Sequence, residues 1–315
     1  MSTRITARHR LVPNMKRFPI LRSLIRKEQP TPDFLRARPS SLPFISGDTF
    51  RSVAEVIVEG GQIVTRSDVA TGVVFGSIGS LKQSDGVKLL TDAAGFLREP
   101  NTARLVLHNG DESPTSEELE PLTKVFSHVF AVNVHDGTRQ VTPVPIGLEN
   151  ACLNLNGRLH YYLDALENPT SASERSREIL SSFHVSNNPA IREHVRNQAR
   201  ASRHGHQEEF FKSRDYRLEV RNSLFVLSPP GNGNDCHRTW EAIYLGAVPV
   251  VLKGSLAESL CAYLPILTVN DYSEVLNLET NELRKLYVEI RQTPAHVAFA
   301  HHWLGRVLGR EKPQG

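Results

Sequence analysis

Short apolar runs bounded by turn residues alternate along the chain with stretches in which apolar positions recur at helical spacing. Short runs closed off by Gly, Pro, Asn or Asp read as buried strands, and a 3.6-residue period reads as helix. Val73–Gly76, Arg104–His108 and His128–Asn133 are predicted strands. Val141–Gly147 is strand-like but interrupted by Pro143 and Pro145, which suits an edge or crossing segment. Leu42–Ile45, followed by Ser-Gly-Asp48, predicts a strand, a loop and a helix over 49–58. Asp85–Leu97 sets Val87, Leu90, Ala94 and Leu97 on one helical face, with Ser84 or Asp85 as N-cap. Another helix opens at Ser116, the expected N-cap, with Glu118 and Glu120 at its positive end. Strands alternating with helices predict an α/β unit on a mostly parallel sheet.

Regularity fades from Leu155 to Ser176, and the pattern then restarts. Ile179–Val185 is a predicted strand, and Ser186-Asn-Asn-Pro189 caps a helix over 190–201, with Pro189 at its first position. A surface helix is predicted over 204–215 and a short one over 216–221. Asn222–Gly254 is the most legible stretch. Leu224–Leu227 is a strand, Ser228–Asp235 a turn-rich loop, and Cys236–Leu245 a helix with Trp240, Ile243 and Tyr244 at helical spacing. Gly246 suits the position after that helix, and Val248–Leu252 is a second buried strand. This is one βαβ turn, and ligands of open α/β sheets bind at the carboxyl ends of strands beside helix N-termini. That edge gathers Asn232, Asn234, Asp235, His237 and Arg238. A strand over 266–269 and helices over 255–263, 272–276, 281–292 and 294–308 complete the chain.

Length and charge refine this picture. At 315 residues the chain suits two ordinary domains, and 39% apolar with 23% charged residues suits a water-soluble globular protein. Residues 1–40 hold ten Lys/Arg against Glu28 and Asp33, and prolines at 13, 19, 30, 32, 39 and 43 mark an arm, with a short helix expected near Phe18–Lys27. The net charge of +3 therefore leaves the body at about −5. A basic arm on an acidic body suits contact with an anionic membrane surface, and equally a solvated tail. Cys152, Cys236 and Cys261 include no CxxC pair, which argues against a disulfide framework or zinc ribbon and fits a reducing, cytoplasmic setting. No run has transmembrane length and no continuous apolar region follows the basic N-terminus, so any membrane contact is peripheral. The expected divisions are a basic arm (1–43), an N-terminal Rossmann-like acceptor domain (44–170), a C-terminal Rossmann-like nucleotide-sugar domain (171–280) and closing helices (281–315) that pack back on the domains.

Ser228-Pro-Pro-Gly-Asn-Gly-Asn-Asp-Cys-His-Arg-Thr-Trp-Glu-Ala242 and Tyr244-Leu-Gly-Ala-Val-Pro-Val250 resemble the exostosin-like glycosyltransferases. Other pieces follow in the same order: His108-Asn-Gly-Asp111, Pro145–Asn150, Ser182-Phe183, Ser186-Asn187 with Arg192, Leu264-Pro-Ile266 and Asn270-Asp-Tyr272. The likeness covers most of 45–275 and is sharp in the second half. The arrangement is also similar to that of the α1,3-fucosyltransferases. The resemblance implies an α/β GT-B fold, with two Rossmann-like domains facing across a cleft and the sugar nucleotide held by the second. It also implies chemistry that needs no bound metal or other cofactor.

A departing nucleoside diphosphate needs its charge stabilised. Gly231 and Gly233 let the loop backbone come close, and the helix starting near Cys236 points its positive end at the loop. Arg238 offers a planar fork to phosphate, His237 one more hydrogen bond, and Arg192 a second cation. Ser228, Asn232 and Asn234 complete the expected donor set. Glu241 shares a helix face with Arg238, and the resemblance gives it the ribose hydroxyls. Trp240 is expected in the core. Inverting transfer also needs a general base from the first domain, with Asp111 ahead of Asp48 and Glu149, and His108 expected to be buried. Asp235-Cys236-His237 and His301-His302 are neighbours without spaced partners, so no metal site is expected.

The function expected is transfer of a sugar from a nucleotide sugar to a glycan or lipid-linked acceptor, with inversion and without metal or nucleic acid. The alternative is a catalytically silent nucleotide-sugar-binding or scaffold protein. A hydrolase or dehydrogenase ranks lower, because GxSxG is absent and no GxGxxG stands at the first βα turn.

Overall fold

The computed structural model describes residues 38–310, apart from 136, 154–156 and 209–210. The short helix expected near Phe18–Lys27 and most of the basic arm lie outside the described residues.

The first half is built on one sheet. Helix α1 (Gly47–Arg51) starts where the Ser46 side chain accepts from the Thr49 N–H. It stops well short of the expected 49–58, because Val56-Ile57-Val58 enters strand β1 (Val56–Glu59) instead. Gly60 and Gly61, at φ 59° and 74°, turn the chain back into β2 (Gln62–Thr65), pairing Glu59 with Gln62. A two-residue turn with both φ positive is the hairpin geometry that glycine allows. There follow β3 (Val73–Ser77), α2 (Ile78–Leu81), α3 (Gly86–Ala94), β4 (Arg104–His108), α4 (Ser116–Val125), β5 (His128–Ala131) and β6 (Val141–Pro143). Helix α4 is capped by Thr115, one residue before the expected Ser116, in a reciprocal capping box with Glu118. The order is β2-β1-β3-β4-β5-β6, parallel except for the β1–β2 hairpin. Strand β6 takes the edge, where the missing N–H of Pro143 is tolerated.

After α5 (Leu159–Glu167) the second half forms β7 (Arg177–Leu180), α6 (Pro189–Ala201), α7 (Ser213–Arg221), β8 (Ser223–Leu227), α8 (His237–Tyr244), β9 (Val248–Leu252), α9 (Glu258–Cys261) and β10 (Leu267–Val269). Its sheet, β10-β9-β8-β7, is wholly parallel. Helices α10 (Ser273–Leu276), α11 (Thr280–Ile290) and α12 (Ala300–Val307) end the described chain. Two parallel α/β sheets facing across a cleft make the GT-B arrangement. Of the surface helix expected over 204–215, the described residues before Ser213 form none. Gly205, at φ 67°, breaks away after α6, and helix begins only at Ser213.

Parallel sheets need apolar cover on both faces. Every residue of β3 and of β8 is buried. One core joins Phe75, Leu107 and Phe130 of the first sheet to Trp240 and Tyr244 of α8 and to Phe299 and Trp303 near the C-terminus. The other packs Phe225 and Val250 against Val195 of α6 and Leu283 and Tyr287 of α11. Helix α8 is thus enclosed, with Thr239–Tyr244 all buried. The C-terminal segment ties in at Tyr244, whose hydroxyl donates to Ala298 O at 2.6 Å, and at Ala300 N, which donates to Pro43 O. Residues 38–43, counted with the arm on sequence, are anchored: Arg38 sits 3.0 Å from buried Asp48 and 2.7 Å from Glu59.

His108 ends β4 fully enclosed. Its Nδ1 accepts from Asn109 N–H at 2.8 Å, so Nε2 carries the proton and donates to Pro145 O at 3.1 Å. Burial pushes its pKa down to about 4. The unfolded chain therefore takes up the proton first as pH falls. Stability should fall as pH drops from about 6.5 towards 4, by roughly 3 kcal/mol from this group. Urea unfolding at several pH values should show that slope, and His108→Gln should flatten it. An unchanged slope in the variant would remove His108 as its cause.

Candidate functional site

A cleft of about 400 Å³ opens where the carboxyl ends of the two sheets meet. The loop between β8 and α8 forms its centre and is fastened to the first sheet at several points. Asp235 is the deepest. Its Oδ2 accepts from Ile146 N–H at 2.8 Å, and its Oδ1 from the Trp240 indole N–H at 2.8 Å. Its own N–H donates to Asn133 Oδ1 at 3.1 Å, while Asn133 Nδ2 donates to Asp111 O at 2.9 Å. Asn133 holds the left-handed φ of 59°, which Asn tolerates better than most residues. Burial pushes the Asp235 carboxyl up to about 6, against the pull of its hydrogen bonds.

Eight of the expected donor-site and base residues line the cleft: Asp111, Arg192, Gly231, Asn232, Gly233, His237, Arg238 and Glu241. Two do not. Ser228 is buried beneath the loop, its hydroxyl 2.8 Å from Thr239 Oγ1, because the residue directly after a central strand still points into the packing. Asn234 turns away to His135 of the first half.

The glycines serve a different closeness from the one expected. A Cβ on Gly231 would lie 2.8 Å from Arg192 Nη2, and one on Gly233 only 2.6 Å from Asp111 O. What approaches the loop backbone is protein. Arg192, expected as a second diphosphate cation, is buried and committed. Nε donates to Pro230 O at 2.8 Å, Nη1 to His184 O at 2.8 Å and Nη2 to Pro229 O at 3.2 Å. It braces the loop from behind.

Arg238 is the cation presented to the cleft. It is half-buried in the first turn of α8, with its guanidinium 5.9 Å over the Phe183 ring. Its Nε has no hydrogen-bond partner among the described residues, and neither has the buried Tyr216 hydroxyl. Burial works against its charge, but Tyr216, Cys236 and Glu241 outweigh that and hold its pKa above the ordinary value. His237 spends Nδ1–H on Gly147 O at 2.7 Å, so Nε2 is left and can donate only when the ring is protonated. Glu241 is buried one turn after Arg238 and accepts from the Tyr162 hydroxyl at 3.3 Å. Burial raises its pKa, opposed by His237, Arg238 and Arg217 and by the Tyr162 hydrogen bond. Asp111 is exposed at the mouth and accepts from Asn232 Nδ2 at 3.1 Å. Asp48 is buried against Arg38, and neither it nor Glu149 lines the cleft.

Sequence reasoning missed the aromatic wall. Phe183 and Asn187 fall in the short pieces Ser182-Phe183 and Ser186-Asn187, which were signal enough to find them. Phe211 and Tyr216 carried no signal, since they stand where a surface helix and a second short helix were expected. Cys236, next to the start of α8, also lines the cleft, and burial pushes its thiol up. The arrangement can hold an anion at the start of α8, an apolar ring against Phe183 and Phe211, and hydroxyl donors at Glu241.

Asp235→Ala would strand the Ile146 N–H and the Trp240 indole N–H and should lower stability by about 3 kcal/mol. The pH dependence of this residue has its own sign. Its folded pKa is raised, so its ionisation weakens the fold as pH rises from about 4 to 6, opposite to His108. Chemical unfolding of Asp235→Ala against wild type over that range reads both effects. A variant as stable as wild type would mean that the contact does not hold the halves together.

The sequence matches no family model and no curated protein. Among solved structures, the chain is similar to an α,α-trehalose-phosphate synthase (UDP-forming) from Burkholderia vietnamiensis, with 12% identity over 75% of this chain and 71% of that one, at a TM-score of 0.38. It is also similar to an α,α-trehalose 6-phosphate synthase from Burkholderia multivorans, with 9% identity over 77% and 73%, at a TM-score of 0.35.

Proposed function

We propose that the cleft binds the diphosphate and ribose of a nucleotide sugar, and that the chain transfers the sugar to a glycan or lipid-linked acceptor. The observation that supports this most is the face of α8. Arg238, whose buried Nε has no hydrogen-bond partner among the described residues, and Glu241 stand one turn apart on the floor of a single cleft, at the positive end of a helix. Phosphate oxygens meet Arg238 and the helix start, ribose hydroxyls meet Glu241, and the base lies against Phe183 and Phe211. The exostosin-like sequence of 228–250 points to the same donor chemistry.

In this reading Asp111 is the general base for inverting transfer. It lies across the cleft from Arg238, on the other half of the molecule, at the mouth where an acceptor enters. Charge stabilisation is left to Arg238 and the helix, so the reaction proceeds without a divalent ion. The silent-binder alternative draws on one observation: Asp111 is engaged by Asn232. Among the described residues no helix is long and apolar enough to cross a membrane. A lipid-linked acceptor would be met at a membrane surface, through the basic arm.

Incubation with a panel of nucleotide sugars, with and without acceptors, should release nucleoside diphosphate, and EDTA should leave the rate unchanged. Arg238→Ala should weaken donor binding about 10- to 100-fold, the worth of a charge-assisted hydrogen bond to phosphate. Asp111→Asn should lower kcat about 100-fold or more with donor affinity retained. Donor binding without turnover by wild type would favour the silent binder, and a folded protein that binds no donor would overturn the proposal.

A further inference from the structure

Behind the cleft, three buried side chains on three helices form a run of hydrogen bonds that ends on Glu241. Arg217 of α7 donates through Nε to the Tyr162 hydroxyl at 3.1 Å, and Tyr162 of α5 donates to Glu241 Oε1 at 3.3 Å. Tyr162 is 0% exposed, Arg217 2% and Glu241 5%, so bulk water does not substitute for any link. A hydroxyl carries one proton. With Arg217 donating to its oxygen, that proton is directed at the carboxylate. The Arg217 guanidinium carbon lies 4.9 Å from the centre of the Tyr161 ring and 5.4 Å from that of Tyr162. Glu241 Oε2 takes no hydrogen bond among the described residues, so it is the oxygen a ligand in the cleft would meet.

Resting on the reading of the cleft as a donor site, we propose that Tyr162 and Arg217 are positioning residues that keep Glu241 ionised and turned towards the vicinal hydroxyls of the donor's ribose. An ionised carboxylate accepts two hydroxyl protons, whereas a protonated one offers a competing donor. Burial already favours the protonated form of Glu241. The groups that oppose it are His237 and Arg238 on α8, Arg217 on α7 and Tyr162 on α5, while Tyr216 on α7 faces the same cluster. Removing the Tyr162 hydroxyl withdraws a hydrogen bond to the charged form, so donor binding should weaken at a higher pH than in wild type.

The test measures Kd by calorimetry for uridine and guanosine diphosphates and for their 2′,3′-dideoxy counterparts, between about pH 5.5 and 8.5. Wild type should prefer the ribose forms by about tenfold or more. Tyr162→Phe should lose more of that preference than wild type at the acid end of this range and recover it as pH rises. Arg217→Lys should retain part of it, and Glu241→Gln should show neither preference nor pH dependence. A folded Tyr162→Phe with the wild-type preference and profile overturns the relay and leaves the donor-site reading intact. A second readout needs no ligand: the 13C carboxyl titration of Glu241, assigned by its loss in Glu241→Gln. It should move to higher pH in Tyr162→Phe, and an unmoved titration overturns the relay whether or not nucleotides bind. A shifted titration with no nucleotide bound to wild type would instead uphold the relay and overturn the donor-site reading.

Discussion

Asp235 joins the two halves of this molecule through a peptide N–H on one side and an indole N–H on the other. The contact is costly, since a carboxylate is taken out of water without a cation beside it, and two strong hydrogen bonds offset the loss. Much of the cleft depends on it. Trp240 anchors α8 in the core, Ile146 lies on the wall opposite, and Asp235 fixes the separation between them. The loop before α8 then has no freedom to drift, and its neighbours fall into place. Gly233 passes under Asp111, Gly231 passes Arg192, and His237 closes on Gly147.

This fastening separates the roles of residues that look alike in the sequence. Both arginines near the loop were candidates for phosphate. One is consumed by three backbone carbonyls, and the other has a buried Nε with no hydrogen-bond partner among the described residues. The difference comes from position. Arg192 rises from α6 behind the loop, where carbonyls need donors, whereas Arg238 stands on α8 facing the open space. The same logic divides the acids. Asp235 is spent on holding the halves, Asp48 on Arg38, and Glu241 and Asp111 remain at the cleft.

The fold was legible wherever burial on both faces made strands into unbroken apolar runs. Arg104–His108 and Val248–Leu252 have the expected bounds for that reason. Val56–Val58 is ambiguous because a short apolar run has no period of its own, and the Gly60-Gly61 turn settles it as a strand. The loop before α8 was legible as a loop, but the direction of its side chains was not. Ser228 packs on Thr239 of its own half, whereas Asn232 and Asn234 reach Asp111 and His135 of the first half, and those directions are decided by tertiary contact. Tyr162, Arg217 and Tyr216 could not be found from the sequence at all. They reach the site from helices far apart in the chain, with no shared spacing to mark them.

The central claim is that the start of α8, with Arg238 and Glu241 turned to the cleft, forms a nucleotide site without disturbing the fastening beneath. A crystal structure with bound uridine or guanosine diphosphate tests this most directly. The account predicts the diphosphate against Arg238 and the first turn of α8, the ribose on Glu241, and Asp235 still bonded to Ile146 and Trp240. A nucleotide bound elsewhere, or bound only after the Asp235 contacts have broken, would contradict it.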